Sequence, residues 1–245
     1  MSKRIVVNSI LEASRNLINT VNKITFSYPV AYVYNPMDYA WAAQKLYIER
    51  YANTSKKILF LGINPGPFGM VQTGVPFGEV DAVRNWLNIS ASIKKPLLEN
   101  PRRLVKGFKC KRSEVSGRRL WSLFAKHFES ADVFFKNHFV INYCPLFFMK
   151  TSGANYTPDK LLIQEKDLLY KACDRYLRKI VKILKPNWII GIGAYSEIRG
   201  RKAIKDNNIN YGRILHPSPI CPATNHNWGY LATKKLLQLG VWKNI

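Results

Sequence analysis

Four short apolar runs bound what this chain can fold into: Lys57-Ile58-Leu59-Phe60-Leu61-Gly62-Ile63, His138-Phe139-Val140-Ile141, Trp188-Ile189-Ile190-Gly191-Ile192 and Arg213-Ile214-Leu215. Each is nearly continuous in apolar character, rich in β-branched or aromatic side chains, and bounded by Gly, Pro or Asn, as expected of strands covered on both faces. Between them lie segments with helical spacing: Glu79 to Leu87, Ser116 to Phe128, Pro158 to Leu184 and Ala194 to Ile204. Thr157-Pro158-Asp159 supplies a cap and a proline at the first helical position of the third. Further helices are expected over Asn8 to Val21, Pro36 to Tyr51 and Asn225 to Gln238. This alternation implies an α/β fold with a central, mostly parallel four-stranded sheet flanked by helices. A length of 245 residues suits one such domain. The expected organisation is an N-terminal segment over residues 1–30, helical in part, followed by an α/β domain over residues 31–245. No internal repeat is visible, and the linker-like patch is the basic loop Lys106-Gly107-Phe108-Lys109-Cys110-Lys111-Arg112.

A parallel sheet carries a geometric consequence, because ligands of open α/β sheets bind outside the carboxyl ends of the strands. Asn64 follows the first run, Asn142 the second, Gly193 the third and His216 the fourth. The strand assignment therefore brings two asparagines and a histidine to one edge.

Charge narrows the partner. Lys and Arg total 38 against 15 Asp and Glu, a formal net charge of +23, and such a field attracts polyanions. Nucleic acid leads, with an anionic membrane surface second. No apolar run approaches the ~20 residues of a membrane span, and Met1-Ser2-Lys3-Arg4 is not followed by the ~7–15-residue apolar core of a secretory signal. An intracellular protein is expected. Cys110, Cys144, Cys173 and Cys221 lie far apart with no C-x-x-C spacing, which argues against a metal centre and for reduced, partly buried thiols.

The chemistry-bearing residues read ambiguously one by one. Gly62-Ile63-Asn64-Pro65-Gly66-Pro67 has glycines that let backbone N–H groups approach a phosphate, but it fits neither a P-loop nor a dinucleotide fingerprint, and its prolines lack N–H donors. As a bare tetrapeptide, Asn-Pro-Gly-Pro merely turns the chain. His216, before Pro217-Ser218-Pro219, is structural or catalytic, and Ser218 stands outside any nucleophile elbow. Asn142 either caps a strand or presents its amide to a ligand, and Phe77 is either core or a face for a flat ring. Glu79 and Asp81 suit the start of a helix better than general-base roles.

Taken together, these clusters resemble a known family. Gly62 to Met70 (GINPGPFGM), Gln72 to Val80 (QTGVPFGEV), Ser113-Glu114-Val115-Ser116-Gly117, Asn142-Tyr143-Cys144-Pro145-Leu146 and His216-Pro217-Ser218-Pro219 closely resemble the single-strand-selective monofunctional uracil-DNA glycosylases, in order and with compatible spacing from about Ala31 to Gly240. The resemblance implies a uracil-DNA glycosylase-like α/β fold. It also implies an enzyme that flips uracil or 5-hydroxymethyluracil out of single- or double-stranded DNA and hydrolyses its N-glycosidic bond. The product would be an abasic site that initiates base excision repair. By similarity the protein works in the nucleus as a monomer, without cofactor, metal or membrane partner.

Within that resemblance Asn64 positions the attacking water, and His216 donates to the uracil oxygen that gathers charge. Asn142 reads the base edge, since an amide offers an acceptor to the ring N–H and a donor to the neighbouring carbonyl. Phe77 stacks on the base, while Ile63, Gly66 and Met70 complete the pocket. Gly66 leaves open the space that a tyrosine blocks in uracil-strict relatives. Ser218 holds a phosphate, and Pro219, Ile220, Cys221 and Pro222 form the segment that meets the DNA. The chain departs from the family at Ile63, often Met, and at Ile220-Cys221-Pro222, where relatives often carry Arg-Asn-Pro; Ile220 can still serve as an apolar wedge. The competing readings are a noncatalytic nucleic-acid-binding module and a phosphate- or nucleotide-using α/β enzyme.

Overall fold

The computed structural model describes residues 2–219 and 227–243. Its centre is a sheet of β2 (Ile58–Gly62), β3 (His138–Asn142), β6 (Trp188–Ile192) and β7 (Asn210–Ile214), ordered β3-β2-β6-β7. All three pairings are parallel. Both β2 and β3 are buried at every position, which is why their sequences carry no polar alternation. The register sets Gly62 opposite Asn142 and Ile192 opposite Ile214, so the carboxyl ends of the strands finish level.

The fourth strand differs from its expected bounds. Lying at the sheet edge, β7 alternates exposed and buried residues, starts at Asn210 and ends at Ile214, with Leu215 already outside it and exposed. Its first three residues, Asn210-Tyr211-Gly212, carry no apolar run, and pairing with β6 holds them in the strand. A second, antiparallel sheet of β1 (Tyr32–Tyr34), β4 (Phe147–Met149) and β5 (Asn155–Tyr156) was not anticipated. Its strands are too short to show a period.

Helices wrap the sheet. Helix α1 (Lys3–Val21) packs its Val6, Ile10, Leu17 and Val21 side into the common core and runs against α7 (Ile163–Leu184). The expected Pro36–Tyr51 helix is broken at Ala40 (φ −102°, ψ 27°) into α2 (Pro36–Tyr39) and α3 (Trp41–Tyr51). Met70–Thr73 forms the one-turn helix α4, and α5 (Val115–His127) matches expectation within a residue. The unanticipated α6 (Ala131–Asn137) is capped by Ser130, whose hydroxyl accepts from the Val133 N–H at 3.3 Å. Pro158 does not open α7: Pro158–Lys160 is a separate 3₁₀ turn, Thr157 makes no capping bond, and α7 begins after Leu162. Helices α8 (Ala194–Ala203) and α9 (Trp228–Gln238) complete the order. Glu79 is buried, and its carboxylate accepts from the Ala82 N–H at 3.0 Å, capping the π-helical turn Ala82–Trp86. Among the described residues no helix is long and apolar enough to cross a membrane.

Two buried polar groups hold the core beneath the site. The His138 ring donates from Nδ1 to the Phe134 carbonyl at 2.8 Å and accepts at Nε2 from the Trp242 indole at 3.2 Å. Burial keeps its pKa down at about 4, so it stays neutral. Lys56, buried beside β2, donates to the Phe135 carbonyl at 2.5 Å.

Candidate active site

The loops after β2 and β3 leave the sheet side by side. Tyr143 N–H donates to the Gly62 carbonyl at 2.9 Å and Cys144 N–H to the Ile63 carbonyl at 2.7 Å, so the parallel ladder continues past the strand ends. Gly62 is a point of close approach. A Cβ there would lie 2.3 Å from Asn142 Oδ1 and 2.5 Å from Phe77 Cε2. Glycine is required because an amide and an aromatic ring both press on the same backbone.

Asn142 is buried, and its Nδ2 donates to the Met70 sulfur at 3.2 Å. A thioether can only accept, which fixes the amide orientation. Oδ1 is buried and accepts no hydrogen bond among the described residues. Such an orphan costs roughly 1–3 kcal/mol, a cost that a ligand N–H would remove.

Phe77 is held in a conformation that side chains rarely take, with φ 53°. Trp121 Nε1 donates to its carbonyl at 3.0 Å, the Glu79 N–H does so at 2.7 Å, and a Cβ on Gly117 would meet that carbonyl at 2.2 Å. The surroundings thus overdetermine a backbone strain of about 1–3 kcal/mol, as is common at binding sites. The Phe77 ring lies 6.1 Å from the His216 ring at 43°.

His216 leaves β7 two residues past its end and packs beside Gly193, whose φ of 95° suits glycine and whose added Cβ would sit 3.2 Å from His216 Cβ. The Ser218 backbone N–H donates to His216 Nδ1 at 3.2 Å. Burial lowers the pKa of the ring to about 4. The imidazole is therefore neutral, and with Nδ1 accepting, its proton sits on Nε2 as a donor. The segment is fixed from outside by Arg119, which donates to the Pro217 carbonyl at 3.1 Å, and by Trp228, whose indole donates to the Leu215 carbonyl at 2.8 Å.

Asn64 stands two residues past Gly62, half-buried, and its Nδ2 makes a long bond of 3.4 Å to the Pro65 carbonyl. Ile63 is half-buried beside it, and Met70 is buried against Asn142. Gly66 faces an occupied space: a Cβ there would lie 2.3 Å from both carboxylate oxygens of Glu114. Glu114 also accepts from the Phe68 N–H at 3.1 Å. Burial raises its pKa to about 7, with backbone hydrogen bonds from Phe68 and Gly69 opposing the rise and the Glu79 charge adding to it. Gly66 thus gives room to the Glu114 carboxyl group.

The structure brings Gly62, Met70, Phe77, Asn142 and His216 into one cluster, with Asn64 and Ile63 on the adjoining loop. Ser218 and Pro219 continue from His216; Ile220, Cys221 and Pro222, read as the DNA-meeting segment, lie outside the described residues. Arg119, Trp121 and Trp228 were missed because they act through hydrogen bonds to distant backbone. Glu114 was legible as part of the Ser113-Glu114-Val115-Ser116-Gly117 motif, without its place beside Gly66. Among the described residues, no group of three or more His, Cys, Asp or Glu is placed to hold a metal, and Cys110, Cys144 and Cys173 are free thiols.

Comparison with known proteins gives the family and the fold. Residues 49–237 match the model of the uracil DNA glycosylase superfamily. The chain is 41% identical over 240 residues to the single-strand selective monofunctional uracil-DNA glycosylase of Rattus norvegicus, covering 97% of this chain and 86% of that one. It is 40% identical over 242 residues to the enzyme of the same name from Bos taurus, covering 98% and 89%. The crystal structure of wild-type SMUG2 from Pedobacter heparinus superposes with a TM-score of 0.66 over 94% of this chain and 97% of that one, at 18% identity, a likeness of fold. The chain belongs to the uracil DNA glycosylase superfamily, and within it to the single-strand selective monofunctional uracil-DNA glycosylases.

Proposed function

We propose that this DNA glycosylase excises uracil and 5-hydroxymethyluracil from single- and double-stranded DNA by hydrolysing the N-glycosidic bond, acting as a monomer in the nucleus and leaving an abasic site. The observation that carries the reading is the Asn142 amide, whose donor is anchored on Met70 and whose acceptor is buried and unused. Uracil presents a ring N–H beside a carbonyl and answers that acceptor; cytosine presents a ring lone pair there and leaves it unpaired. Phe77 supplies the stacking face.

The chemistry follows from neutral groups. As the bond from C1′ to the base nitrogen breaks, the electron pair leaves on the base and positive charge develops on the sugar. His216 Nε2–H donates to the base oxygen that collects negative charge, a preorganised contact of the kind that contributes roughly 3–4 kcal/mol. Asn64 holds the water whose oxygen bonds to C1′, and the proton that water loses is free to neutralise the departing base. No strong protein base is needed, because the leaving anion is stabilised before attack is complete.

The test is single-turnover excision from single-stranded oligonucleotides carrying uracil, 5-hydroxymethyluracil, cytosine or thymine, followed by alkaline cleavage of abasic sites. Uracil and 5-hydroxymethyluracil should be released and cytosine left intact. Asn64→Ala and His216→Ala should each slow uracil release by roughly a hundredfold or more while binding persists. Full activity in both variants would remove these residues from the reaction.

A further inference from the structure

The basic loop carries more charge than solubility requires, and it is fastened to the catalytic loop. Residues 102–112 hold six cations, Arg102, Arg103, Lys106, Lys109, Lys111 and Arg112, and no acid. Among the described residues none of the six takes part in an ion pair, whereas Arg84, Arg199, Arg201 and Arg213 all do. All are exposed except Arg103, which is half-buried.

Three contacts tie this ridge to the loop that follows Asn64. The buried Gln72 amide donates to the Pro67 carbonyl at 3.1 Å and to the Leu104 carbonyl at 3.2 Å, and accepts from the Lys106 N–H at 2.8 Å. One side chain thereby staples the two segments. Phe68, four residues past Asn64, carries the Arg112 guanidinium 4.0 Å from its ring centroid and that of Arg103 at 5.4 Å. The Phe68 N–H is in turn fixed on Glu114. Arg103 Nε already donates to the Gly153 carbonyl at 2.8 Å, so the guanidinium offered to a phosphate is that of Arg112, whose N–H groups suit two oxygens of one phosphate.

We propose that residues 102–112 form a phosphate-binding ridge for the DNA strand that feeds the pocket, with Arg112 on Phe68 as its anchor. This rests on the reading of the site as a glycosylase. The occupant is the phosphodiester backbone of an unpaired strand. The ridge is contiguous with the Asn64 loop, its charge is uncompensated, and its rigid attachment sets phosphate positions relative to the pocket.

The experiment compares two variants that lose the same three charges. Lys109→Gln, Lys111→Gln and Arg112→Gln together strip the ridge; Lys171→Gln, Lys179→Gln and Lys182→Gln together strip exposed positions of α7, which supplies no residue to the pocket cluster. Affinity for a single-stranded oligonucleotide with a central abasic analogue is measured by fluorescence anisotropy across a salt series. Each phosphate contact on a single strand contributes about 0.7 to the logarithmic salt slope, so the ridge variant should lose about 2 and the α7 variant almost nothing. Single-turnover uracil excision by the α7 variant at saturating enzyme should match wild type. Equal losses in both variants would reduce the ridge to a share of the general field, and an unchanged ridge variant would overturn the proposal. Wild-type protein that binds with the expected slopes but releases no uracil would sink the functional reading and leave the ridge standing.

Discussion

Two ionisable side chains, His216 and Glu114, decide how the pocket responds to pH, and burial pushes them in opposite directions. For His216 the ordinary value near 6.5 is lowered to about 4, so the ring should remain neutral with the Nε2 proton in place across the working range. Long-range ¹⁵N–¹H correlation spectra should show Nδ1 unprotonated and no His216 titration between pH 5.5 and 8; a midpoint near 6.5 would mean a solvated ring and a different donor. For Glu114 the carboxyl is raised from 4.5 to about 7. The folded state then binds the proton more tightly than the unfolded chain, so its contribution to stability falls as pH rises from 4.5 to 7 and is flat above. Glu114→Gln cannot ionise and keeps an amide oxygen for the Phe68 N–H. Relative to wild type it should therefore gain stability between pH 5 and pH 8, on the order of 2–3 kcal/mol at about 1.4 kcal/mol per unit. Denaturant unfolding at both pH values measures this, and an equal difference at both would show that the carboxyl is solvated.

Elements were legible where burial on both faces wrote a continuous apolar run. The cores of β2, β3 and β6 fall within a residue or so of their expected bounds. β7 is half-exposed at the edge, and its first residues owe their conformation to β6. β1, β4 and β5 are two or three residues long and exist through tertiary pairing alone. The candidate site was readable as positions at strand ends, with Asn64 past β2, Asn142 placed by the structure as the last residue of β3, and His216 past β7. Its supports, Trp121 on the Phe77 carbonyl, Arg119 on that of Pro217 and Glu114 under Gly66, are long-range and leave no local spacing to detect. Gly62 shows what such packing demands of a strand end. In Gly62→Ala the methyl would stand within 2.5 Å of both Asn142 and Phe77, so one of them must leave its place. Displacements near 1 Å at reacting groups cost about a hundredfold in rate. We expect uracil excision to fall by that order in a protein that still unfolds cooperatively by circular dichroism. Retained excision would show that the pocket walls yield without loss of register.

At the scale of the whole molecule, the charge and the pocket divide the labour. The formal charge is +23, yet the residues proposed to meet the reacting base, Asn64, Phe77, Asn142 and neutral His216, carry no net charge. Mobile ions screen exposed charges over about 8–10 Å at ordinary ionic strength and act little on enclosed, uncharged dipoles. Salt should therefore weaken encounter with DNA without altering the bond-breaking step. If about five phosphates of a single strand are neutralised on binding, a fourfold rise in salt, from about 50 to 200 mM, lowers affinity roughly a hundredfold at a slope of about −0.7 per contact. In single-turnover titrations of enzyme against a uracil-containing single strand, the half-saturating concentration should rise by that order while the plateau rate stays within about twofold. A plateau that falls in parallel with affinity would place formal charge in the transition state itself. Glu114, whose carboxyl lies against the Gly66 backbone and whose pKa burial raises to about 7, would then be the first group to examine.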